Sequence, residues 1–277
     1  MRVEPDSTVP SVSPEVNRRS VWGGRGLTFG PVRQGEKGFG SRVRICLLGE
    51  FEAWGGRLPL ALSMGAKRLI AFLAVKHQPM QRQYLASSMW LEHGEENAQA
   101  CLRSTLWRIR RQPYPIVHIE DGLASLAPGV SVDLHEAISL AQQLLATPEL
   151  VSEAGSTGSL FVEDLLPGWP DDWLVVDREQ FRQLRLHVLE VLSRRWTSAG
   201  RFAEAIEAAL RAISVDPLRE SAHRALIGAH LAEGNFAEAI RSYERFRTLL
   251  WEELEVQPSA RMEELIATTR SEHAHIA

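Results

Sequence analysis

The side chains best suited to recognising another molecule lie in residues 96–111 and are Arg103, Trp107, Arg108, Arg110 and Arg111. Leu102, Leu106 and Ile109 recur at spacings of four and three, so they share one face of a predicted helix and leave the basic side chains largely on the remaining surface. A helix about 10–12 Å across fits a DNA major groove, and arginine binds both phosphates and guanine edges. The segment is therefore either a DNA-reading helix or an ordinary helix with a solvated arginine face.

A small sheet is predicted ahead of this helix. Val43, Ile45 and Leu47 alternate with other residues, which is a strand pattern, and a turn at 55–56 leads into a short return strand at 58–60. Residues 1–41 are rich in Gly, Pro, Ser and Arg and have almost no apolar periodicity, so they are predicted to be a disordered arm.

Two helices and a hairpin complete the pattern around residues 96–111. Residues 65–75 predict a first helix, and residues 81–90 predict a second whose inward residues are Tyr84, Leu85, Met89 and Trp90. Two short apolar runs on either side of Asp121 and Gly122 predict a hairpin. The order of strands, two helices, basic helix and hairpin is that of a winged helix-turn-helix, whose third helix enters the groove.

An internal repeat marks the rear half of the chain. The heptapeptide Gly-Arg-Phe-Ala-Glu-Ala-Ile at 200–206 recurs as Gly-Asn-Phe-Ala-Glu-Ala-Ile at 234–240, an offset that matches the tetratricopeptide period of about 34 residues. The rear half is therefore predicted to be an α-solenoid. Asp133 is predicted to cap a helix over 134–145, and Asp171 with Asp172 a long helix that begins at Trp173.

Charge is distributed unevenly along the 277 residues. The net charge is −4 overall, but it is +6 over residues 42–115 and −12 over residues 116–277. A basic front half joined to an acidic rear half suggests a nucleic-acid-binding unit attached to a second unit of different function.

The sequence carries no catalytic or cofactor-binding motif. The nine histidines lack the spacing of metal ligands, and there is no nucleophile elbow, cysteine–histidine signature or phosphate-binding loop. No apolar run approaches the length of a membrane span, and the first residues lack a signal-peptide core. We therefore expect a cytoplasmic protein that is not an enzyme and that needs no metal or cofactor.

Several short motifs of residues 42–135 occur together in one kind of winged helix. They are Leu47, Leu48 and Gly49, residues 67–73, Leu85, Met89 with Trp90, Leu102, Leu106, residues 108–111, and Asp121 with Gly122. Together they resemble the response-regulator type of winged helix found in the Streptomyces antibiotic regulatory protein family.

The rear half carries motifs of the domain that follows the winged helix in that family. They are residues 171–173, Arg178, residues 216–220, His223 with Arg224, Tyr243 with Glu244, residues 252–254, Val256, Pro258 and Ser259. These residues resemble the bacterial transcriptional activator domain.

The patterns and the resemblance together predict an arm at 1–41, a winged helix DNA-binding domain at 42–132, a bacterial transcriptional activator domain at 133–270 and a tail at 271–277. The predicted fold is mainly α with a small β component, a winged helix-turn-helix domain followed by an all-α tetratricopeptide-like solenoid. The resemblance implies a nucleoid-associated activator that binds direct repeats near promoters as a side-by-side dimer on double-stranded DNA. It also implies recruitment of RNA polymerase and its σ factor.

The candidate DNA contacts lie on the third predicted helix and at the start of the first, and are Arg103, Ser104, Thr105, Trp107, Arg108, Arg110, Arg111, Lys67 and Arg68. Phosphate contacts are expected from Arg103, Arg108, Arg110 and Arg111, with Lys67 and Arg68 as further candidates. Ser104 and Arg108 are expected to read base edges, with Arg103 or Trp107 as additional readers. Trp107 leaves three alternatives open, which are stacking on a sugar, contact with a thymine methyl group, and packing against the second helix or the hairpin.

Two departures from the family pattern alter these expectations. The hairpin offers Glu120 and Asp121, whose carboxylates repel phosphate, and Leu123 stands where an aromatic residue is common. The third helix is therefore expected to supply most of the specificity. Glu255 stands where the family often ends a helix with Gly, and because a left-handed turn costs another residue about 1 kcal/mol, this helix end is expected to differ.

Two other functions are compatible with the same sequence. The solenoid could make the chain an adaptor that binds a peptide or small ligand, with the winged helix used for protein contact, and the acidic hairpin favours this alternative. A repressor of the same fold would bind DNA in the same way as an activator.

Overall fold

The computed structural model describes residues 43–146 and 160–274, so the arm predicted at 1–41 and the end of the predicted tail lie outside the described residues. The strands are β1 Val43–Cys46, β2 Glu52–Gly55, β3 Leu58–Pro59, β4 Met80–Gln81, β5 Val117–Glu120, β6 Leu123–Leu126 and β7 Val130–Val132. The helices are α1 Met64–Lys76, α2 Arg82–Met89, α3 Glu95–Arg110, α4 Asp133–Ala146, α5 Val175–Ser198, α6 Phe202–Val215, α7 Glu220–Glu233, α8 Phe236–Leu254 and α9 Ala260–Ala274.

The first sheet has the strand order β3-β2-β1-β7. β1 pairs antiparallel with β2, as the alternating sequence predicts, and pairs in parallel with β7, where Ile45 lies opposite Val132. Val43, Ile45 and Val132 are buried on one face of this sheet. β7 therefore returns the chain from the hairpin to the first strand before the rear half begins.

The predicted winged helix is confirmed. α1, α2 and α3 follow the first sheet, and β5 and β6 form the predicted hairpin, with β4 added as a third strand beside β6. Leu85 and Met89 of α2 point inward as predicted. The prediction for Tyr84 is wrong, since 51% of this residue is exposed. The ring of Tyr84 still lies near that of Phe72, with centroids 6.4 Å apart and the two planes tilted by 52°.

Asp133 joins the first strand to the fourth helix. Its carboxylate accepts hydrogen bonds from the backbone N–H groups of Leu47 at 2.8 Å, Leu48 at 3.1 Å and Leu134 at 2.7 Å. The predicted role at the start of a helix is therefore correct, but Asp133 also satisfies two donors just beyond β1. Burial raises the pKa of this carboxyl group, and the three N–H donors oppose that rise.

The segment that precedes α5 packs against the end of β1 and against α1. Leu166 donates its N–H to Leu47 at 2.9 Å, and the Arg178 guanidinium donates to the carbonyl oxygens of Leu165 and Leu166. The predicted capping role of Asp171 is wrong. The Asp171 carboxylate accepts hydrogen bonds from Arg68 Nε at 2.8 Å and from the indole N–H of Trp173 at 3.0 Å, and the chain enters α5 through a single 3-10 turn, Asp172–Leu174.

The rear half is a stack of helices in which α5, α6, α7 and α8 pack successively on one another. The two copies of the repeated heptapeptide form the starts of α6 and α8, as the 34-residue offset predicts. Ala205, Ala209 and Ala239 are buried between helices, because their small side chains allow close approach. The chain is thus mainly helical with a small β component, as predicted.

The end of α8 corrects one expectation. Glu255 has φ 56° and ψ 31°, so the left-handed turn is present although the residue is not glycine. The equivalent position after α7 is Gly234, with φ 84°. The helix end therefore keeps the conformation of the family pattern.

The winged helix and the helical stack share one hydrophobic core, which contains both Phe72 of α1 and Phe181 of α5. Ion pairs also link α1 to the region where α5 begins, since Arg68 pairs with Asp171 and Lys76 Nζ lies 2.7 Å from the Asp177 carboxylate. Among the described helices, none combines the length and hydropathy that crossing a membrane requires.

Candidate nucleic-acid interface

α3 is fixed to the protein by one apolar face. Leu102, Leu106 and Ile109 are buried, as the sequence predicts. Thr105 lies on the same face and is only 6% exposed, with its hydroxyl close to Gly65 of α1. The prediction that Thr105 contacts DNA is therefore wrong, because its side chain is covered by α1.

The opposite face of α3 carries the remaining candidate residues of this helix, all of which are exposed: Arg103, Ser104, Trp107, Arg108, Arg110 and Arg111. At about 100° per residue, Trp107 and Arg111 lie within about 30° of the centre of the exposed arc. Arg108 and Arg110 lie about 80° away on opposite sides of that centre. The middle of the face is thus formed by Trp107 and Arg111, and its two edges by Arg108 and Arg110.

Sequence reasoning missed one member of this central stripe. Ala100, Ser104, Trp107 and Arg111 follow at spacings of four, three and four, and Ala100 is exposed. The spacing alone identifies Ala100 as a member of this stripe, but its side chain has no charged or hydrogen-bonding group that would mark it as a DNA contact. Its methyl group leaves room for a close approach at the first half of the helix.

The arginines of this face have no acidic partner. Over residues 43–146 and 160–267, no ion pair includes Arg103, Arg108, Arg110 or Arg111. Arginines of the helical stack are used differently, since Arg219 pairs with the buried Glu190 at 2.5 Å and Arg182 with Glu179 at 2.8 Å. The positive charge of α3 is therefore left available for a negatively charged partner.

Trp107 is part of the exposed surface. It is 57% exposed, and the Arg111 guanidinium carbon lies 4.7 Å from the centre of its ring. The alternative in which Trp107 packs against the second helix or the hairpin does not hold. A cation–π contact of this kind holds the guanidinium beside the indole rather than free in solvent.

Lys67 and Arg68, the two candidate DNA contacts on α1, have different surroundings. Arg68 is held by Asp171 and also donates to the carbonyl oxygen of Met89 at 3.4 Å. Lys67 lies with its Nζ 5.8 Å from the centre of the Phe51 ring. Arg68 therefore serves the contact between α1 and the segment before α5, whereas Lys67 forms no ion pair with the described residues.

The hairpin presents an acidic tip. Asp121 and Gly122 form the turn with φ 48° and 80°, and Glu120 and Asp121 are exposed. His118 Nε2 lies 3.4 Å from the carboxylate of Glu120. The hairpin therefore offers carboxylates where a contact with phosphates requires cations.

Within the described residues, no three His, Cys, Asp or Glu side chains converge as a metal site.

Comparison with known proteins identifies the domain that follows the winged helix and several relatives of the chain. Residues 133–270 match the family model of the bacterial transcriptional activator domain. The regulatory protein AfsR of Streptomyces coelicolor is 26% identical to this chain over 247 residues, which cover 85% of this chain and 24% of that protein. The chain belongs to the Streptomyces antibiotic regulatory protein family. This family consists of transcription regulators rather than enzymes.

Two further relatives extend the comparison. AfsR of Streptomyces griseus is 26% identical over 238 residues, covering 80% of this chain and 24% of its own length. The chain therefore spans about a quarter of the length of these curated family members. The structure of Mycobacterium tuberculosis EmbR in complex with a low-affinity phosphopeptide superposes with a TM-score of 0.68 at 16% identity, over 82% of this chain and 64% of EmbR. This likeness shows that the two proteins share a fold.

Proposed function

We propose that this chain is a sequence-specific DNA-binding transcription regulator that acts as an activator, with α3 in the major groove. The observation that carries the proposal is the exposed face of α3, whose four arginines have no acidic partner in the described residues. An exposed cationic helix face backed by a buried apolar face matches the width and the negative charge of the major groove.

The proposed roles follow from position on that face. Arg108 and Arg110 flank it on opposite sides and bind phosphates along the two edges of the groove. Arg103, Ser104, Trp107 and Arg111 face the base edges. This assignment exchanges the roles predicted from the sequence for Arg108 and Arg111, because the exposed arc is centred near Arg111. Lys67 adds a phosphate contact, whereas Arg68 makes none because Asp171 holds it.

Family membership supports the remaining parts of the proposal. Two copies bind side by side on direct repeats near a promoter and recruit RNA polymerase with its σ factor. Residues 116–277 carry a net charge of −12, so the helical stack is repelled by DNA and is suited to basic surfaces of the polymerase.

The test is a binding titration of the full chain on DNA from upstream of its own gene, compared with unrelated DNA. Arg111→Ala should weaken specific binding by at least about tenfold and relax the preference at one base position. Arg108→Ala should weaken specific and unrelated DNA alike and reduce the salt slope by about 1. Arg194→Ala, which changes an exposed arginine of α5, is the matched control and should change neither. Absence of any specific complex at moderate salt would overturn the proposal.

The acidic hairpin tip favours one other function, an adaptor in which the winged helix contacts protein. Glu120 and Asp121 would then face a basic protein surface rather than DNA. The same titration separates the two functions, because an adaptor gives no specific complex with any DNA. A repressor binds the same DNA, and transcription from the bound promoter in the presence of the chain distinguishes it from an activator.

A further inference from the structure

The centre of the exposed face of α3 is apolar, although its surroundings are strongly basic. Trp107 exposes 57% of its surface there, and Ala100 lies two turns earlier on the same stripe. Exposing an indole to water is unfavourable, and the neighbouring arginines alone would suffice for binding phosphates. A large apolar group in this position fits a partner that offers an apolar group in return.

The major groove offers one such group. Each base pair presents hydrogen-bond donors and acceptors along this groove, and the C5-methyl group of thymine is the apolar feature of its base edges. Phosphates lie along the rims of the groove, where Arg108 and Arg110 are placed. Trp107 lies between these two edges of the helix face, so it faces the floor of the groove.

Arg111 is held at a fixed position relative to the same indole. Its guanidinium carbon is 4.7 Å from the centre of the Trp107 ring, and no carboxylate among the described residues competes for it. Stacking uses the flat face of the guanidinium and leaves its N–H edge free to donate. A guanidinium edge donates two hydrogen bonds to the N7 and O6 atoms of guanine.

We propose that Trp107 and Arg111 act as one unit that reads a thymine next to a guanine. The Trp107 indole covers the thymine methyl group, and the stacked Arg111 guanidinium donates to N7 and O6 of the neighbouring guanine. This inference rests on the proposed function, since it requires α3 to lie in the major groove. It adds the bases that the site selects.

The experiment starts from DNA sites selected by the full chain from a random duplex library. Each thymine of the selected site is then replaced singly by deoxyuridine, which removes only the methyl group. One position per half-site should weaken binding by about fourfold, the effect expected for one buried methyl group. Replacement of the adjacent guanine by 7-deazaguanine should weaken binding by about tenfold or more, because N7 is lost as an acceptor.

Two variants connect these effects to the residues. Trp107→Ala should bind the thymine and deoxyuridine sites equally, while it keeps the preference at positions read by other residues. Trp251→Ala, which removes a tryptophan that is 55% exposed at the end of α8, is the matched control and should keep the full methyl effect. Thermal unfolding of both variants should match that of the natural chain, because both side chains lie on the surface.

The possible outcomes are distinct. Specific binding without any position sensitive to deoxyuridine overturns the inference and leaves the proposed function intact. The inference also fails if Trp107→Ala retains the methyl effect, or if it weakens all sequences equally, as stacking on a sugar would require. Failure to select any sequence overturns the proposed function itself.

Discussion

At the scale of single residues, a few polar side chains form hydrogen bonds with backbone groups that have no partner within a helix or strand. Asp133 accepts N–H groups from Leu47 and Leu48, which lie just beyond β1, and from Leu134 at the start of α4. It is only 5% exposed, so water cannot replace these bonds. One buried carboxylate therefore satisfies three backbone donors at the junction between the two halves of the chain.

Replacing this carboxylate should destabilise the protein. Asp133→Ala leaves two N–H donors near β1 without acceptors, and each such buried donor costs about 1–3 kcal/mol. We expect the free energy of unfolding to fall by about 3 kcal/mol in urea titration. Asp133→Asn keeps one acceptor oxygen and should lose less. Equal stability of the alanine variant and the natural chain would contradict this role.

His135 should make the stability depend on pH. Its Nε2 lies 2.7 Å from the carbonyl oxygen of Ala74 and 2.8 Å from Nδ1 of His77. Burial lowers the pKa of His135 below its ordinary value of 6.5, and the neighbouring His77 lowers it further. The folded chain therefore binds fewer protons than the unfolded chain, so this contribution is complete above pH 6.5 and is lost as the pH falls below it.

The measurement is urea unfolding at pH 7.5 and at pH 5.5. His135→Gln keeps a donor for the Ala74 carbonyl but does not titrate, so the difference in unfolding free energy between the two pH values should shrink. An undiminished difference would assign the pH dependence to other groups. His223 is one such group, since burial lowers its pKa as well.

The residues that α3 buries could be predicted from the sequence only where their side chains are apolar. The buried face of α3 follows from Leu102, Leu106 and Ile109 alone. Thr105 was expected to point outward because it is polar, but its place against Gly65 is set by the position of α1, which no local pattern contains. The prediction for Tyr84 is wrong in the opposite direction, since this residue was expected to be buried and is half exposed. An aromatic ring can lie at the edge of a core with half its surface in solvent.

At the scale of elements, the periodic segments were predictable, but two of the short strands were not. α3 runs over Glu95–Arg110, within one residue of the segment defined by its apolar spacing. β4 and β7 have only two and three residues, too few to show alternation, and each exists because a distant strand supplies its hydrogen bonds. Their positions therefore depend on the tertiary fold rather than on local sequence.

The two helix ends with left-handed residues offer a matched pair of tests. Glu255 has φ 56°, a conformation that costs a residue with a Cβ about 1 kcal/mol. Glu255→Gly should therefore raise the free energy of unfolding by up to about 1 kcal/mol in urea titration. Gly234→Ala should lower it by about the same amount, because φ is 84° there and the added Cβ would meet no atom within 4 Å. Shifts of the same sign in both variants would contradict this explanation.

At the scale of the whole molecule, the winged helix and the helical stack are joined by groups far apart in the sequence. Arg68 and Asp171 are separated by 103 residues, and Lys76 and Asp177 by 101. The repeat and the resemblance predicted which domains follow one another. They could not predict this contact, because nothing in the local sequence marks either residue of each ion pair as the partner of the other.

Breaking the first of these ion pairs should loosen the boundary between the domains. The Asp171 side chain is only 5% exposed, so Arg68→Ala leaves a buried carboxylate with the Trp173 N–H as its remaining partner. We expect a loss of about 2 kcal/mol, below the value of about 3–5 kcal/mol for a fully buried pair, because Arg68 is partly exposed. Arg241→Ala breaks the exposed pair with Glu238 and should cost under about 0.5 kcal/mol in the same urea titration. Equal losses of unfolding free energy in Arg68→Ala and Arg241→Ala would contradict a stabilising role for the ion pair at the domain boundary.

In the proposed complex with DNA, Glu120 and Asp121 at the hairpin turn would leave the minor groove free. Both side chains are carboxylates, so the hairpin turn itself, residues 120–122, offers no cation to a minor groove. A dye that occupies the minor groove should therefore share the site with this protein instead of displacing it. In methylation protection, guanine N7 in the major groove should be shielded while adenine N3 in the minor groove remains reactive.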